Sequence, residues 1–256
     1  MEWQHALEKG EECNAVALTK KGEILYSYKR GAKLVTWDHQ VVWDYKTPDK
    51  TELQSATLLQ NGGVLLGICG IPAQFIELDK KGKEVNKVTL NLEVERPHSQ
   101  FRQVFQLRNS NYLIPVMAKQ KVLEVSRKGK IIAEHQIEGK AFSSLELPDG
   151  NLLLPCGDNH YYIVIDRETG EELKRVKALD IEGVALLFVG QILQLKNGNL
   201  LICNWYGHTK DTTVDEPQLI EIDKNGKVVW SLHDKKNVGK ISAACYIDNF
   251  RLPDLK

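Results

Sequence analysis

Apolar residues along this chain fall in short runs that are interrupted by tight-turn signals, and they do not recur at helical spacing. Five segments repeat the order apolar run, turn, apolar run: residues 16–25, 57–66, 104–114, 145–154 and 192–202. Their turn positions, 22, 62, 110, 150 and 198, are 40, 48, 40 and 48 residues apart. Asn-Gly or Asp-Gly between apolar runs is a strong hairpin signal, because the turn requires positive φ. The pattern therefore predicts five β-hairpins.

A second hairpin follows each of the first ones. It is predicted at residues 75–85, 122–132, 163–173 and 219–230, and a shortened copy without glycine lies at 34–43. Each unit then holds four short strands in 40 to 48 residues, which is the period of a propeller blade. We expect an all-β, single-domain β-propeller over residues 1–256.

The predicted blades cover residues 13–46, 53–90, 100–138, 141–177 and 190–232. The two ends of the chain extend beyond these repeats, at residues 1–8 and 240–256. Because an open ring would leave unpaired strand edges, we expect the ends to share a sixth blade of antiparallel strands. With four strands expected per blade, this closing blade is short of about two.

Composition excludes several classes of protein. Lysine and arginine total 34 against 34 aspartate and glutamate, so the chain lacks the basic excess typical of nucleic-acid binding. No apolar run approaches the length of a transmembrane helix. The five cysteines form no C-x-x-C pair and most lie in apolar runs, so we expect buried thiols. Residues 1–5 lack the features of a secretory signal.

The recurring L-x-N/D-G-N-x-L-L-I and I/V-E-I-D-x-x-G-K-V-V-W motifs resemble the repeat of PQQ-like, quinoprotein-type β-propellers. Within that family, the chain is most similar to small bacterial propellers of the surface-layer or arylsulfotransferase-like kind. This resemblance implies a periplasmic or cell-surface protein if the chain is a mature or trimmed form. Quinone-dependent members have more blades and often adjacent cysteines, so no PQQ and no other cofactor is expected.

Propellers usually bind ligands at a central channel lined by the innermost strands, so polar residues at the start of those strands are candidates. Another candidate is the largest insertion, residues 204–217, together with its counterpart at 157–162. The predicted ligand-binding residues are Asn14, Gln54, His98, Arg102, Gln103, His160, Asn204, Trp205 and His208. His98 and Arg102 together could hold an anion. Two alternatives stay open: a ring of mutually satisfied polar groups, and a packed loop anchored by Trp205.

No catalytic or metal motif accompanies these residues. The seven histidines show no spacing typical of a metal site, so none is predicted. We therefore expect a noncatalytic propeller that binds a small ligand, a glycan or a protein at the channel mouth. The alternative is a group-transfer enzyme that uses His98 with Arg102, which are the nearest counterparts of the channel histidine and arginine of arylsulfotransferases.

Overall fold

The computed structural model describes residues 4–7, 11–208 and 215–247, which contain twenty β-strands in five antiparallel sheets. The first sheet is β1 (Cys13–Leu18), β2 (Ile24–Tyr28), β3 (Gly31–Val35) and β4 (Val41–Lys46). The second is β5 (Glu52–Leu58), β6 (Val64–Cys69), β7 (Ala73–Leu78) and β8 (Glu84–Leu90). The third is β9 (Phe105–Gln106), β10 (Tyr112–Val116), β11 (Lys121–Val125) and β12 (Ile131–Gln136).

Two further sheets complete the set. The fourth is β13 (Leu145–Glu146), β14 (Leu152–Pro155), β15 (Tyr161–Ile165) and β16 (Glu172–Lys177). The fifth is β17 (Val189–Gln194), β18 (Leu200–Asn204), β19 (Leu219–Ile222) and β20 (Val228–Leu232). Each sheet is a simple meander in which consecutive strands pair. Short 3-10 turns lie at Pro97–Ser99 and Met117–Lys119. No helix among the described residues is long and apolar enough to span a membrane.

The chain divides into two compact units. The first takes the described residues of Met1–Ile114, Glu124–Ile132 and Cys245–Lys256, and the second takes those of Pro115–Leu123 and Ala133–Ala244. The first two sheets belong to the first unit, the last two belong to the second, and β9–β12 contribute residues to both. Inside the first unit, Leu53, Leu66, Ile68 and Ile76 form part of a core that is fully buried.

The predicted hairpin turns are confirmed, including those that lack glycine. Ser110 occupies the turn of β9–β10 with φ 69°, and His39 occupies the shortened turn of β3–β4 with φ 66°. Both residues take the left-handed conformation that glycine adopts in the other turns, for example at Gly62 with φ 81°. The turn geometry is therefore kept even where the glycine signal is lost.

The prediction of six blades is wrong, because the described residues form five four-stranded sheets. Residues 4–7 and 241–247, which we expected to supply strands to a sixth, have no strand conformation. Neither segment is part of a hairpin, so neither brings its own strand partner. Instead, Leu7 packs on the core of the first sheet, and the Ala244 N–H donates to Gln191 Oε1 at 2.8 Å. Residues 1–3, 8 and 248–256 of the predicted closing blade lie outside the described residues.

A glutamate recurs at one position of the third strand in three sheets. Glu124 Oε1 accepts a hydrogen bond from Asn109 Nδ2 at 2.9 Å, and Glu221 Oε1 accepts one from Asn199 Nδ2 at 2.7 Å. These asparagines belong to the turn of the first hairpin in the same sheet. The turn asparagine therefore has a second role, since its amide binds a carboxylate two strands away.

Glu77 occupies the same position in the second sheet but has different partners. Its carboxylate is 1% exposed and receives hydrogen bonds from Arg127 Nε at 2.8 Å and from the Tyr112 hydroxyl at 2.7 Å. Arg127 NH2 donates to the second oxygen. Burial alone would raise the pKa of Glu77, but these hydrogen bonds and the Arg127 charge lower it below its ordinary value.

We expect Glu77→Ala to destabilise the protein by about 3 kcal/mol, because it leaves Tyr112 and Arg127 without their shared buried carboxylate. The control is Glu221→Ala, which removes an amide partner from a half-buried site and should cost about 1 kcal/mol. Urea unfolding of both variants measures the difference. Equal losses would contradict a special role for the Glu77 ion pair.

The same carboxylate should make stability depend on pH. Because the pKa of Glu77 is lower in the folded protein, its contribution is present above the unfolded carboxylate pKa of about 4.3 and is lost as pH falls through the folded value. The stability difference between wild type and Glu77→Gln should therefore shrink in acid. Unfolding curves recorded between about pH 3 and pH 7 test this, and a difference that grows in acid would oppose it.

Candidate functional site

The first strand of each sheet, which the sequence predicts to be innermost, lies at a sheet edge, so β1, β5 and β17 pair with a neighbour on one side only. Each of them also carries a bulge near its start. The register shifts between Cys13 and Ala15, between Leu53 and Ser55, and between Val189 and Gln191. Asn14 and Gln54 are therefore bulged residues. A bulge interrupts the ladder and re-aims the side chain it carries, so these positions need hydrogen-bond partners from outside their own sheet.

Polar side chains near the start of these strands supply hydrogen-bond partners to the backbone. Ser55 Oγ accepts from the Val104 N–H at 2.9 Å and donates to the Val104 carbonyl at 3.3 Å, which joins the start of β5 to the segment before β9. Asn14 Nδ2 donates to the Leu53 carbonyl at 3.2 Å. These residues act as structural ties, as in the alternative of mutually satisfied polar groups.

His98 and Arg102 lie together, and a third residue that sequence reasoning missed completes the cluster. His98 Nδ1 is 2.8 Å from Glu52 Oε2, and His98 Nε2 is 2.9 Å from Arg102 NH2. Because a guanidinium only donates, Nε2 accepts and the ring proton is on Nδ1, facing Glu52. Glu52 opens β5 two residues before Gln54, whose Nε2 donates to Glu52 Oε2 at 3.0 Å. No motif distinguishes Glu52 from an ordinary strand glutamate.

Arg102 is held mainly by protein acceptors. Its NH1 donates to the His98 carbonyl at 2.6 Å and to the Phe101 carbonyl at 3.0 Å. Burial lowers the pKa of Arg102 from its ordinary value. Burial raises the pKa of Glu52, but the hydrogen bond and charge of His98, together with Lys29, lower it overall. In this cluster His98 Nδ1 and Gln54 Nε2 donate to Glu52, and Arg102 donates to His98 and to two backbone carbonyls.

Two buried glutamines differ from these ties. Gln54 and Gln103 are each 2% exposed, and neither Gln54 Oε1 nor Gln103 Oε1 has a hydrogen-bond partner among the described residues. Gln54 comes one residue before Ser55, and Gln103 comes one residue before Val104. Ser55 and Val104 are hydrogen-bonded to each other, so the two glutamines lie on adjoining segments. The other buried side-chain atoms in this condition are Glu11 Oε2, Ser27 Oγ, Trp43 Nε1, Gln74 Oε1 and Ser144 Oγ.

Gln100 shows what a structurally satisfied glutamine looks like in the same segment. It is 1% exposed, its Oε1 accepts from the Gly70 N–H at 2.9 Å, and its Nε2 donates to the Gly70 carbonyl at 2.8 Å. A second bond from Nε2 reaches the Val94 carbonyl at 3.2 Å. Gln100 and Gln103 therefore form a natural pair for comparison, since both are buried and only one has its amide oxygen paired.

In the second unit, the structure describes residues 204–208 and 215–217 of the predicted aromatic loop, and residues 204–208 are packed. Asn204 is fully buried and binds the Leu187 N–H at 2.7 Å and the Ala185 carbonyl at 2.9 Å. The Trp205 ring contacts Phe188 and His208, with ring centroids 5.0 and 4.8 Å away. A Cβ added to Gly207 would lie 1.8 Å from the Trp205 ring, so Gly207 lies directly against that ring. For these residues, the packing favours the alternative in which Trp205 serves as an anchor.

His160 and His208, the two predicted histidines of this region, have different surroundings. His208 Nδ1 binds Asp158 Oδ1 at 2.8 Å on an exposed surface, whereas His160 has an exposed side chain on a turn with φ 60°. Among the described residues, no three His, Cys, Asp or Glu side chains are placed to hold a metal. That all nine predicted residues line one channel mouth stays a prediction.

Three of the five cysteines are buried thiols, as predicted. Cys69, Cys156 and Cys203 are fully buried, and burial raises the pKa of each thiol to about 12. Cys13 and Cys245 are exposed, so the expectation of buried thiols is wrong for these two.

Comparison with known proteins identifies the family. The model of the Mal s 1 allergenic protein-like family matches residues 1–227. The chain belongs to this family. A crystal structure of a protein of unknown function from Bacteroides caccae is 43% identical, covers 95% of this chain and 89% of its own, and superposes with a TM-score of 0.91. No curated protein matches the chain.

More distant structures agree on the fold. A catalytically inactive virginiamycin B lyase from Staphylococcus aureus, solved with quinupristin, is 15% identical over 94% of this chain and 76% of its own, with a TM-score of 0.67. The WD40 domain of Neurospora crassa Pan2 is 12% identical over 89% and 67%, with a TM-score of 0.63. The predicted β-propeller is thus confirmed for this Mal s 1-like protein. The narrower PQQ-like and arylsulfotransferase-like assignment is not supported.

The His98 geometry predicts a single tautomer. We expect the proton on Nδ1, because Arg102 donates to Nε2, and the opposite tautomer at His135, whose Nε2 donates to the Arg167 carbonyl at 2.7 Å. Long-range 1H–15N correlation spectra at neutral pH distinguish the two, and His135 is the internal control. Arg102→Met should relax the preference at His98 alone. A protonated Nε2 at His98 in wild type would contradict the network.

Proposed function

We propose that this protein is a noncatalytic β-propeller that binds a small polar ligand at Gln54 and Gln103. The observation that carries the proposal is the pair of buried amide oxygens without hydrogen-bond partners. A buried acceptor left unpaired costs about 1 to 3 kcal/mol, and a protein retains such a cost at sites where a ligand offsets it. Gln54 lies near the start of β5 and Gln103 lies just before β9, which are positions where the sequence predicts ligand-binding residues, and this supports the proposal.

The neighbouring residues serve this site by positioning it. Gln54 Nε2 is fixed by Glu52, and Glu52 is fixed by His98 and by Lys29, whose Nζ is 3.4 Å away. Arg102 closes the network on the far side of His98. This arrangement orients the Gln54 amide so that its oxygen points away from Glu52. We assign Glu52, His98 and Arg102 as positioning residues and Asn14 as a backbone tie.

Both nitrogens of His98 are engaged, and this favours binding over catalysis. A histidine that transfers a proton or a group needs one nitrogen available to the substrate. Here Nδ1 faces Glu52 and Nε2 faces Arg102. The geometry therefore supports the noncatalytic function best.

A second candidate function, group transfer at His98, rests on one specific contact. The Glu52 carboxylate holds the ring through Nδ1, which is how enzymes orient a histidine whose other nitrogen reacts. For this function Arg102 would have to leave Nε2 when substrate binds.

The two functions differ in a direct assay. We expect no turnover of aryl sulfate esters or of nitrophenyl glycosides by wild type. Turnover that His98→Ala abolishes, while His135→Ala retains it, would replace the binding proposal with the enzymatic one. His135 is the control because it is also half-buried and hydrogen-bonded, through Nε2, to a carbonyl.

The two neighbouring glutamines give the sharpest test of the binding proposal. Gln103→Leu removes an unpaired acceptor and should stabilise the unliganded protein by about 1 kcal/mol, or leave its stability unchanged. Gln100→Leu strips Gly70 of both hydrogen bonds and should destabilise by about 2 kcal/mol or more. Chemical unfolding measures both changes.

Loss of ligand binding should be seen in Gln103→Leu, although this variant keeps its stability. In a thermal-shift screen of neutral, cationic and anionic small molecules, compounds that stabilise wild type should lose their effect in Gln103→Leu. A Gln103→Leu variant as unstable as Gln100→Leu would show that the Gln103 amide is a structural group, and the proposal would fail without reference to any ligand.

A further inference from the structure

Residues 4–7, which we call the N-terminal strap, lie against the first sheet through two side chains. Leu7 packs against an apolar cluster of this sheet. The buried members of that cluster are Ile24, Tyr26, Tyr28 and Val35. His5 is the polar anchor, because its Nε2 is 2.9 Å from the Tyr26 hydroxyl and the two ring centroids are 5.2 Å apart.

The other nitrogen of His5 faces a second histidine. His5 Nδ1 is 3.2 Å from His39 Nδ1, with ring centroids 5.4 Å apart and ring planes inclined by 22°. The two nitrogens are thus the facing atoms of the two rings. They need one proton between them, since two lone pairs or two N–H groups would repel. His39 belongs to the β3–β4 turn, so this hydrogen bond ties the strap to the sheet.

The contact can hold a limited number of protons. When both rings are neutral, one Nδ1 donates and the other accepts. One added proton leaves the bond intact, because an imidazolium still donates to a neutral ring. A second added proton puts N–H groups on both facing nitrogens and a positive charge on each ring. The hydrogen bond is then lost and the two rings repel each other.

Positive charge near the pair opposes that second protonation. Burial lowers the pKa of His5, and the charges of His39 and Lys33 lower it further. Lys33 lies on β3, and its Nζ is 3.7 Å from Asp44 Oδ2 on β4. The same carboxylate oxygen is 3.4 Å from Lys46 Nζ, so Asp44 is shared between two lysines.

Other titratable groups on the neighbouring elements are Tyr26 and Tyr28 on β2, Cys13 on β1, and Asp38 beside His39. Burial raises the pKa of both tyrosines and of Cys13, so these three side chains stay neutral in acid. The Asp38 carboxylate accepts a hydrogen bond from Thr36 Oγ1 in its own turn. Histidine is the residue type that ordinarily changes charge between about pH 5 and 8, so the pair is the element that responds there.

We infer that the His5–His39 pair is an acid-sensitive switch, which holds the N-terminal strap on the first sheet at neutral pH and releases it when both rings are protonated. Release removes Leu7 from the apolar cluster. Because the docked pair binds one proton fewer than the released histidines, docking should weaken as pH falls below the ordinary histidine pKa of about 6.5, by up to about tenfold per pH unit.

The Leu7 methyl signals report docking, because they lie on a cluster that contains two tyrosine rings. In 1H–13C spectra recorded between about pH 7.5 and about pH 5, these signals in wild type should move towards unfolded-chain positions and lose their NOEs to the cluster. His39→Asn keeps a residue that tolerates the left-handed turn and cannot take up the second charge. The pH dependence of the Leu7 signals should disappear in this variant.

His160→Asn is the matched control. His160 is also exposed and left-handed, with φ 60° against 66° for His39, and should leave the wild-type pH profile unchanged. Long-range 1H–15N spectra of wild type at about pH 7.5 give a second readout, since one of the two facing Nδ1 atoms should carry a proton. Leu7 signals that do not respond to pH in wild type, or an unchanged pH profile in His39→Asn, would overturn the inference.

Discussion

The innermost strand of each sheet pairs on one side only, and much of the organisation at the candidate site follows from that. Backbone groups on an unpaired edge need partners, and in the first unit they obtain them from side chains of the adjoining innermost segment. Ser55 brackets Val104, and Asn14 reaches the Leu53 carbonyl. Gln54 and Gln103 differ from these ties, because their amide oxygens have no hydrogen-bond partner among the described residues, a property that they share with Gln74.

The glutamates also differ in role according to their hydrogen-bond partners. Glu77, Glu124 and Glu221 share one position in the repeat, yet only Glu77 faces an arginine and a buried tyrosine. Glu52 lies at the start of β5, and its carboxylate accepts hydrogen bonds from His98 and Gln54 instead. The repeat thus supplies equivalent backbone positions, and the local partners decide whether a carboxylate stabilises a sheet or positions a site.

Much of the fold could be predicted from local signals, since each hairpin depends on a turn and two flanking apolar runs. Ser110 and His39 kept the turn even without glycine. The sixth blade was predicted wrongly because ring closure is a global property, and residues 241–247 carry an apolar run without a hairpin partner. Gln54, His98, Arg102 and Gln103 were predicted because they lie at or before the start of strands that the sequence predicts to be innermost. Glu52 was missed, because its contact with His98 joins residues 46 positions apart.

The proposed function depends on whether the two amide oxygens accept hydrogen bonds from a ligand. A high-resolution crystal structure of the protein soaked with the compound that most stabilises it in the thermal-shift screen measures this directly. The binding proposal predicts ligand donors within hydrogen-bond distance of both Gln54 Oε1 and Gln103 Oε1, with the Glu52–His98–Arg102 network unchanged. A structure in which both oxygens accept from protein donors, with the compound absent or bound elsewhere, would contradict it.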